Sequence, residues 1–258
     1  MIVDDQLKIN HRAVTIQAED KTKTYGSADP TLTSTTKGLA GTDYIVTSLT
    51  RAEGNSVGTY SIEVAYEANP NYVITPVNGV LTISPKTVPV TAKDEAKIYG
   101  EADPELTAKV EGLAYEDGAD LISYTVESAT GEDAGEYTIT PAGDAEQGNY
   151  TVKYETGTMT IYPLDTVVVR ITANNGIYEY DGREKDLSGY SVQISDPQYT
   201  ENDFTFSGNS ELKATNAGTY STKMTAADFA NTSDNFTNVA FIVENGELEI
   251  QKRKISNS

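Results

Sequence analysis

The chain contains no cysteine, no tryptophan and one histidine, His11, in 258 residues. Without cysteine there are no disulfide staples and no thiolate metal sites, and the residue type that reports on redox compartment is missing. With no thiol, a Cys-His pair is excluded and His11 is the only imidazole from which a His-Ser-acid triad could be assembled, and its place in a seam between sequence repeats reads as structural or incidental. Basic residues are scarce: 19 Lys and Arg stand against 39 Asp and Glu, a formal charge of −20. Proteins gain affinity for phosphates through Lys and Arg, so neither nucleic acid nor an anionic membrane is an expected partner. Long apolar runs are missing too. No stretch approaches the roughly 18 residues of a membrane span, and Met1-Ile2-Val3-Asp4-Asp5 has neither the basic start nor the apolar run of a signal peptide. The expectation is a stretch cut from a larger secreted protein, with signal and anchor outside it and no membrane insertion within it.

What the chain does have is repetition. Gly79-Val80-Leu81-Thr82-Ile83, Gly157-Thr158-Met159-Thr160-Ile161 and Gly246-Glu247-Leu248-Glu249-Ile250 are one strand written three times, and Leu7-Lys8-Ile9 is a fourth, partial copy. New beginnings follow at Val14-Thr15-Ile16, Val88-Pro89-Val90 and Val169-Arg170-Ile171. These seams divide the chain into a final strand of a preceding repeat (1–12), a first repeat (13–86), a second (87–163), a third (164–252) and the start of another (253–258).

Inside each repeat, short runs rich in Val, Ile, Thr and Tyr alternate in polarity between Gly, Asn, Asp and Pro clusters, which is the chemistry of strands and turns. Helical periodicity is nearly absent; Glu116-Asp117-Gly118-Ala119-Asp120-Leu121-Ile122 could supply one short turn, and Gly118 argues against anything longer. Val57-Gly58-Thr59-Tyr60, Ala134-Gly135-Glu136-Tyr137 and Ala217-Gly218-Thr219-Tyr220 each start a strand, and Asp133–Tyr137 resembles the tyrosine corner of immunoglobulin-like sandwiches. Asn71-Tyr72, Asn149-Tyr150 and Asn235-Phe236 open a further strand, expected to return as a hairpin into the closing Leu-x-Ile. The step of seven from Leu81 to Val88 is odd, so the two apolar sets lie on opposite sides of one ribbon; neighbouring repeats should then bury opposite faces. The step of ten from Met159 to Val169 predicts a second junction set differently.

Lys23-Thr24-Tyr25-Gly26-Ser27-Ala28-Asp29-Pro30 in the first repeat returns as Lys97-Ile98-Tyr99-Gly100-Glu101-Ala102-Asp103-Pro104 in the second. Together with the Gly-Thr/Glu-Tyr, Asn-Tyr and closing Thr-Ile strands, these segments resemble the MBG repeats of the Tyr-Gly type. The third repeat, with Tyr180-Asp181-Gly182, is similar to the related YDG repeat. The resemblance implies modules in series in large secreted or wall-attached bacterial surface proteins: an adhesin stalk at the cell surface, monomeric, with host mucin or another glycan or protein as partner of the parent protein. It carries no ligand-contacting residues over to this chain.

All-β is the fold class that follows, as three tandem small β domains in an elongated rod. An immunoglobulin-like sandwich is favoured by the corner segment, with a β-grasp-like sheet as alternative. No catalytic, cofactor-binding or metal residues are assigned, and no cofactor is expected. Three sets of residues offer other chemistry. Glu116, Asp117 and Asp120, and Glu132 with Asp133, are acidic loops of the kind calcium uses, without EF-hand spacing. A Lys–Asn amide crosslink would need a buried trio that no pattern singles out. Most Tyr fall at repeated strand positions, which leaves Tyr115, Tyr190 and Tyr199 as the candidates for a ligand or partner surface. The competing classes are a glycan- or mucin-binding module and an accessory domain of a secreted glycosidase.

Overall fold

Alternating polarity becomes strand throughout the computed structural model, which describes residues 7–253. Helical structure among these residues is limited to three-residue 3-10 turns, one of them Ala119–Leu121, where the sequence predicts a turn. The β-grasp alternative falls with that, since it requires a helix packed on its sheet. The chain forms two compact units whose boundaries run through the second repeat. Unit 1 comprises Met1–Lys93, Thr107–Glu127 and Thr140–Gly157, and unit 2 comprises Asp94–Leu106, Ser128–Ile139 and Thr158–Ser258.

In unit 1 the first repeat makes two sheets. Strand Arg12–Ala18 lies between Ser34–Lys37, antiparallel, and Tyr72–Val77, parallel. The second sheet runs in the order Lys21–Thr24, Gly79–Ser84, Gly58–Tyr66, Thr47–Arg51. The expected closing hairpin is therefore corrected: Tyr72–Val77 and Gly79–Ser84 are consecutive in sequence but belong to different sheets. Two neighbouring segments change sheets together, one at Ala18–Glu19 and the other at Asn78-Gly79, and they run parallel on both sides of the crossing. A glycine is needed there because a Cβ on Gly79 would stand 2.9 Å from the Ala18 carbonyl oxygen; one on Gly157 would meet Ala92 O at 2.9 Å, and one on Gly246 would meet Ala173 O at 2.9 Å. Just past each crossing an Asx side chain accepts the next amide: Val80 N–H to Asp20 (2.8 Å), Thr158 N–H to Asp94 (2.8 Å) and Glu247 N–H to Asn175 (2.7 Å).

Between repeats one proline, Pro85 or Pro163, separates the closing strand from the next opening strand. Proline offers no N–H to a ladder, so pairing stops there and the chain passes into another sheet. Lys86–Ala92 then lies between Ala108–Val110, antiparallel, and Tyr150–Glu155, parallel. Leu81 and Ile83 before the seam, and Val88 and Val90 after it, are the buried alternate residues of their strands. They do not enter separate cores: all four belong to one buried cluster with Ala18, Tyr25, Ile62, Ala114, Ile122, Tyr150 and Val152. Side chains from two sheets must point in opposite senses to meet, so an odd step across a change of sheet directs both sets inward. The core of unit 1 is thus a sandwich of the second sheet of repeat 1 and the first sheet of repeat 2. A smaller cluster around Val14, Ile16 and Tyr72 underlies the first sheet of repeat 1.

Unit 2 repeats the design with a longer first sheet. Leu164–Ala173, ten residues, pairs parallel with Phe236–Glu244, nine residues, where the equivalent strands of repeat 2 have seven and six. The seam itself is unchanged, with Ile161 to Leu164 matching Ile83 to Lys86, so the longer step reflects lengthened strands and not a different junction. Both strands carry an extra residue at one level, Thr166 (φ 65°) and Asn238 (φ 51°), and Asn238 Nδ2 donates to Asp165 at 2.6 Å. The core here is aromatic and contains all five phenylalanines of the chain. Leu7-Lys8-Ile9, read from sequence as a closing strand, forms none: Leu7 and Ile9 are 88% and 84% exposed, and no strand among the described residues pairs with them. The expected beginning of another repeat at 253–258 lies outside the described residues apart from Arg253.

Candidate functional site

The motifs converge on the joints between repeats. In unit 1 Tyr25, whose amide donates to Ser84 O (2.9 Å), ends its strand and places its ring against repeat 2, edge-on to Tyr150 at 5.4 Å and to Tyr115 at 5.2 Å. Tyr25 OH donates to Asp117 Oδ2 at 3.0 Å, and Tyr150 OH donates to the same oxygen at 2.5 Å while accepting the Ala114 N–H at 2.9 Å. Gly26 (φ 85°) follows in the left-handed region, where a Cβ would overlap that of Ala114, so both its conformation and the closeness of the next repeat require glycine. On the other side of the joint Asn149 Oδ1 accepts the Val57 N–H of the preceding repeat at 2.9 Å.

Unit 2 builds its joint from the equivalent residues. The Tyr99 amide donates to Tyr162 O (2.8 Å), and its ring meets Phe236 edge-on at 5.2 Å. A Cβ on Gly100 (φ 84°) would run into the Gln198 side chain. Asn235 Oδ1 accepts the Ala134 N–H at 2.5 Å, and its Nδ2 donates to Asp133 Oδ1 at 2.7 Å. In each case the Tyr-Gly turn and the amide before the Gly-Thr/Glu-Tyr strand come from one repeat, and the Asn-aromatic pair comes from the next. Tyr180 makes the corresponding backbone bond, to Gln251 O (2.9 Å), and its side chain is exposed.

The rest of each motif holds these ends in shape. Lys23 reaches Asp29 at 2.6 Å, and Lys97 reaches Asp103 at 2.6 Å, so the Lys and Asp that flank Tyr-Gly close the turn as an ion pair. Arg51 joins Asp29 at 2.6 Å, and the hydrogen bonds from Arg51 and Lys23 hold the Asp29 carboxyl down at about 2. Glu132 joins the buried Lys97 at 2.6 Å, and the hydrogen bonds that Lys97 donates to Asp103 and then to Glu132 push that ammonium up. The tyrosine corner is present three times: Tyr60 OH donates to Ser56 O (2.8 Å), Tyr137 OH to Asp133 O (2.8 Å) and Tyr220 OH to Asn216 O (3.2 Å).

The acidic loops weighed for calcium are drawn into this framework. Asp117 takes two tyrosine hydroxyls, Glu132 pairs with Lys97, Asp133 accepts from Asn235, and Asp120 sits in the 3-10 turn. Of the tyrosines set aside for a partner surface, Tyr115 is exposed, at a left-handed φ of 52°. The other two are corrected. Tyr199 is only 2% exposed, with its hydroxyl on Asp203 O (3.1 Å) and Asn231 (3.1 Å), and Tyr190 packs edge-on against Phe206 and Phe229. The third repeat inserts its own aromatic core, and these tyrosines belong to it. The Asn149 and Asn235 side chains are the joint residues that sequence reading passed over; their recurrence before an aromatic was the signal available.

A family model described as "MBG domain (YGX type)" matches residues 14–82 and 88–160. No curated protein matches the chain. Among solved structures, the chain is similar to Drosophila N-cadherin EC1-4, at 9% identity and a TM-score of 0.28 over 95% of this chain and 76% of that one. It is also similar to the N-terminal four Ig domains of Dscam1 isoform 7.44, at 10% identity and a TM-score of 0.20 over 96% and 73%.

Proposed function

The chain belongs to the MBG domain family of the YGX type, and from that premise we propose that it is a non-catalytic stalk region of a secreted or wall-attached bacterial surface adhesin. One observation carries this reading: the family motif is consumed in holding one repeat to the next. Tyr25, Gly26 and Asn149, with Tyr99, Gly100 and Asn235, are turned toward neighbouring repeats. Residues used this way keep a series of small domains in register and hold a distal binding region away from the cell. In this reading the third repeat is a YDG-type member of the same series, with Tyr180 in the place of Tyr25 and Tyr99. Small-angle scattering tests the proposal. An extended particle whose maximum dimension grows with each added repeat is expected; a compact one overturns it.

A second reading, a glycan- or mucin-binding module, is favoured by one feature, the exposed Tyr44 beside a recess of about 400 Å³ that also has Asp43, Glu67 and Asn69 in its lining. An aromatic ring next to polar groups is the form a sugar platform takes. Binding on a glycan array that disappears in Tyr44→Ala would favour it, and a clean negative leaves the stalk.

A further inference from the structure

The first repeat carries the receiving half of a joint at its own front. Asn71 occupies the place of Asn149 and Asn235: its carbonyl accepts the Arg12 N–H at 2.9 Å, as Asn149 O accepts Lys86 N–H (3.0 Å) and Asn235 O accepts Leu164 N–H (2.9 Å). Tyr72 occupies the place of Tyr150. Its hydroxyl accepts the Ala40 N–H at 3.0 Å and donates to Asp43 at 2.5 Å, as Tyr150 does with Ala114 and Asp117. Two contacts that complete the occupied joint are missing here among the described residues: no tyrosine from another repeat reaches Asp43, and no amide reaches the Asn71 side chain. In their place is a recess of about 430 Å³ whose lining includes His11, Arg12, Ala40, Asp43, Asn71 and Tyr72.

We infer that this face is a docking socket for the Tyr-Gly end of another repeat of the same type. The occupant's chemistry follows from the filled copy in the same unit. It brings a tyrosine hydroxyl to the Asp43 carboxylate oxygen that Tyr72 already meets, as Tyr25 joins Tyr150 on one oxygen of Asp117, and a glycine in the left-handed region over Ala40. It also brings a backbone amide, from the residue before a Gly-Thr/Glu-Tyr strand, to Asn71 Oδ1. A side chain on that glycine would collide with Ala40 as one on Gly26 would with Ala114, so the socket selects Tyr-Gly against other Tyr-x turns. The inference does not depend on the stalk reading, because a binding module in series would be joined in the same way.

The test lengthens the full chain at its front with a copy of its own residues 12–85 placed directly before Arg12, and introduces Asn71→Ala with and without this extension. In the lengthened protein the variant lowers the melting temperature by about 2–4 °C, the shift that follows from losing one partly buried hydrogen bond. It also speeds hydrogen exchange at the Val57 amide of the added copy by at least tenfold. In the unlengthened protein the same substitution changes neither the melting temperature nor the exchange of unit 1. Equal effects in both proteins, no effect in the lengthened one, or an added copy that stays unfolded beside a folded remainder each overturn the inference. Concentration-dependent association of the unlengthened chain that Asn71→Ala abolishes would overturn the in-series occupant and put a second copy in the socket.

Discussion

Tyr25 and Tyr150, 125 positions apart in a chain of 258 residues, meet edge to face at 5.4 Å and donate to the same oxygen of Asp117. The two hydroxyls come from different repeats, so the carboxylate is shared across the joint. Removing it leaves both without an acceptor, and an unsatisfied buried group costs about 1–3 kcal/mol. Asp117→Ala is therefore expected to destabilise unit 1 more than Tyr150→Phe, which strands only the Ala114 amide, and Tyr25→Phe least, by about 1 kcal/mol. Urea unfolding of the three variants checks the order; a Tyr25→Phe loss as large as that of Asp117→Ala would contradict it.

The same hydroxyl makes the joint sensitive to alkali. Burial first, and then the hydrogen bond to Asp117, push Tyr150 up to about 12 from an ordinary 10.0. A group raised on folding contributes stability that is complete below its unfolded pKa and is lost as pH rises through its folded one. Unit 1 should weaken between pH 10 and 12, and Tyr150→Phe should reduce that dependence, leaving the part that comes from Tyr25, raised by burial, and Tyr72, raised by its hydrogen bond to Asp43. Tyr199, pushed to about 12 by burial and then by the Asp203 charge, keeps its own alkaline dependence in unit 2. Unfolding free energies measured from pH 9 to 12 separate the two contributions.

In acid the first repeat depends on Asp29. Its carboxyl is held at about 2 against an ordinary 3.8, so its contribution is present above 3.8 and lost as pH falls toward 2. The Asp29 side chain is 43% exposed, and solvent screening limits the effect to below about 1 kcal/mol. Asp29→Asn should flatten the pH 2–4 stability profile by that amount while leaving neutral pH behaviour close to the parent less the same increment.

Gly26 and Gly41 separate conformation from packing. Both are in the left-handed region, at φ 85° and 56°, but a Cβ on Gly41 would meet nothing within 4 Å. Gly41→Ala should cost only backbone strain, about 1 kcal/mol. Gly26→Ala adds a collision with Ala114 and should cost about 1–3 kcal/mol more. Ala114→Gly in the same chain should recover part of that excess and none of the strain. Full recovery would mean that Gly26 serves the joint alone.

Local chemistry was readable from sequence. The tyrosine corners, the 3-10 turn at Ala119–Leu121 and the all-β class each rest on residues close together in the chain. What escaped was the pairing of distant segments. A six-residue strand, Asn78-Gly79, then another strand has the composition of a hairpin, yet Gly79 is there because Ala18 O crosses it at 2.9 Å. That neighbour lies 61 residues earlier. The odd step from Leu81 to Val88 predicts a flip of face; Pro85 moves the chain to the opposing sheet, so the same parity fills one core. Asn149 looked like the start of a strand because its partner, the Val57 amide, is in another repeat. Asp117 reads in sequence as a solvated loop acid, because the two tyrosines that satisfy it, Tyr25 and Tyr150, come from far along the chain.

A core that straddles the seam puts folding out of phase with repetition. In unit 1 the second sheet of repeat 1 supplies one half of the core and the first sheet of repeat 2 the other, so the matched halves lie across the seam. Removing or duplicating one whole Tyr-Gly repeat brings a second sheet against a first sheet again, with Tyr-Gly facing Asn-aromatic. An array built this way can change in length by whole repeats without having to invent a surface, whereas a cut at a repeat boundary leaves two open half-cores.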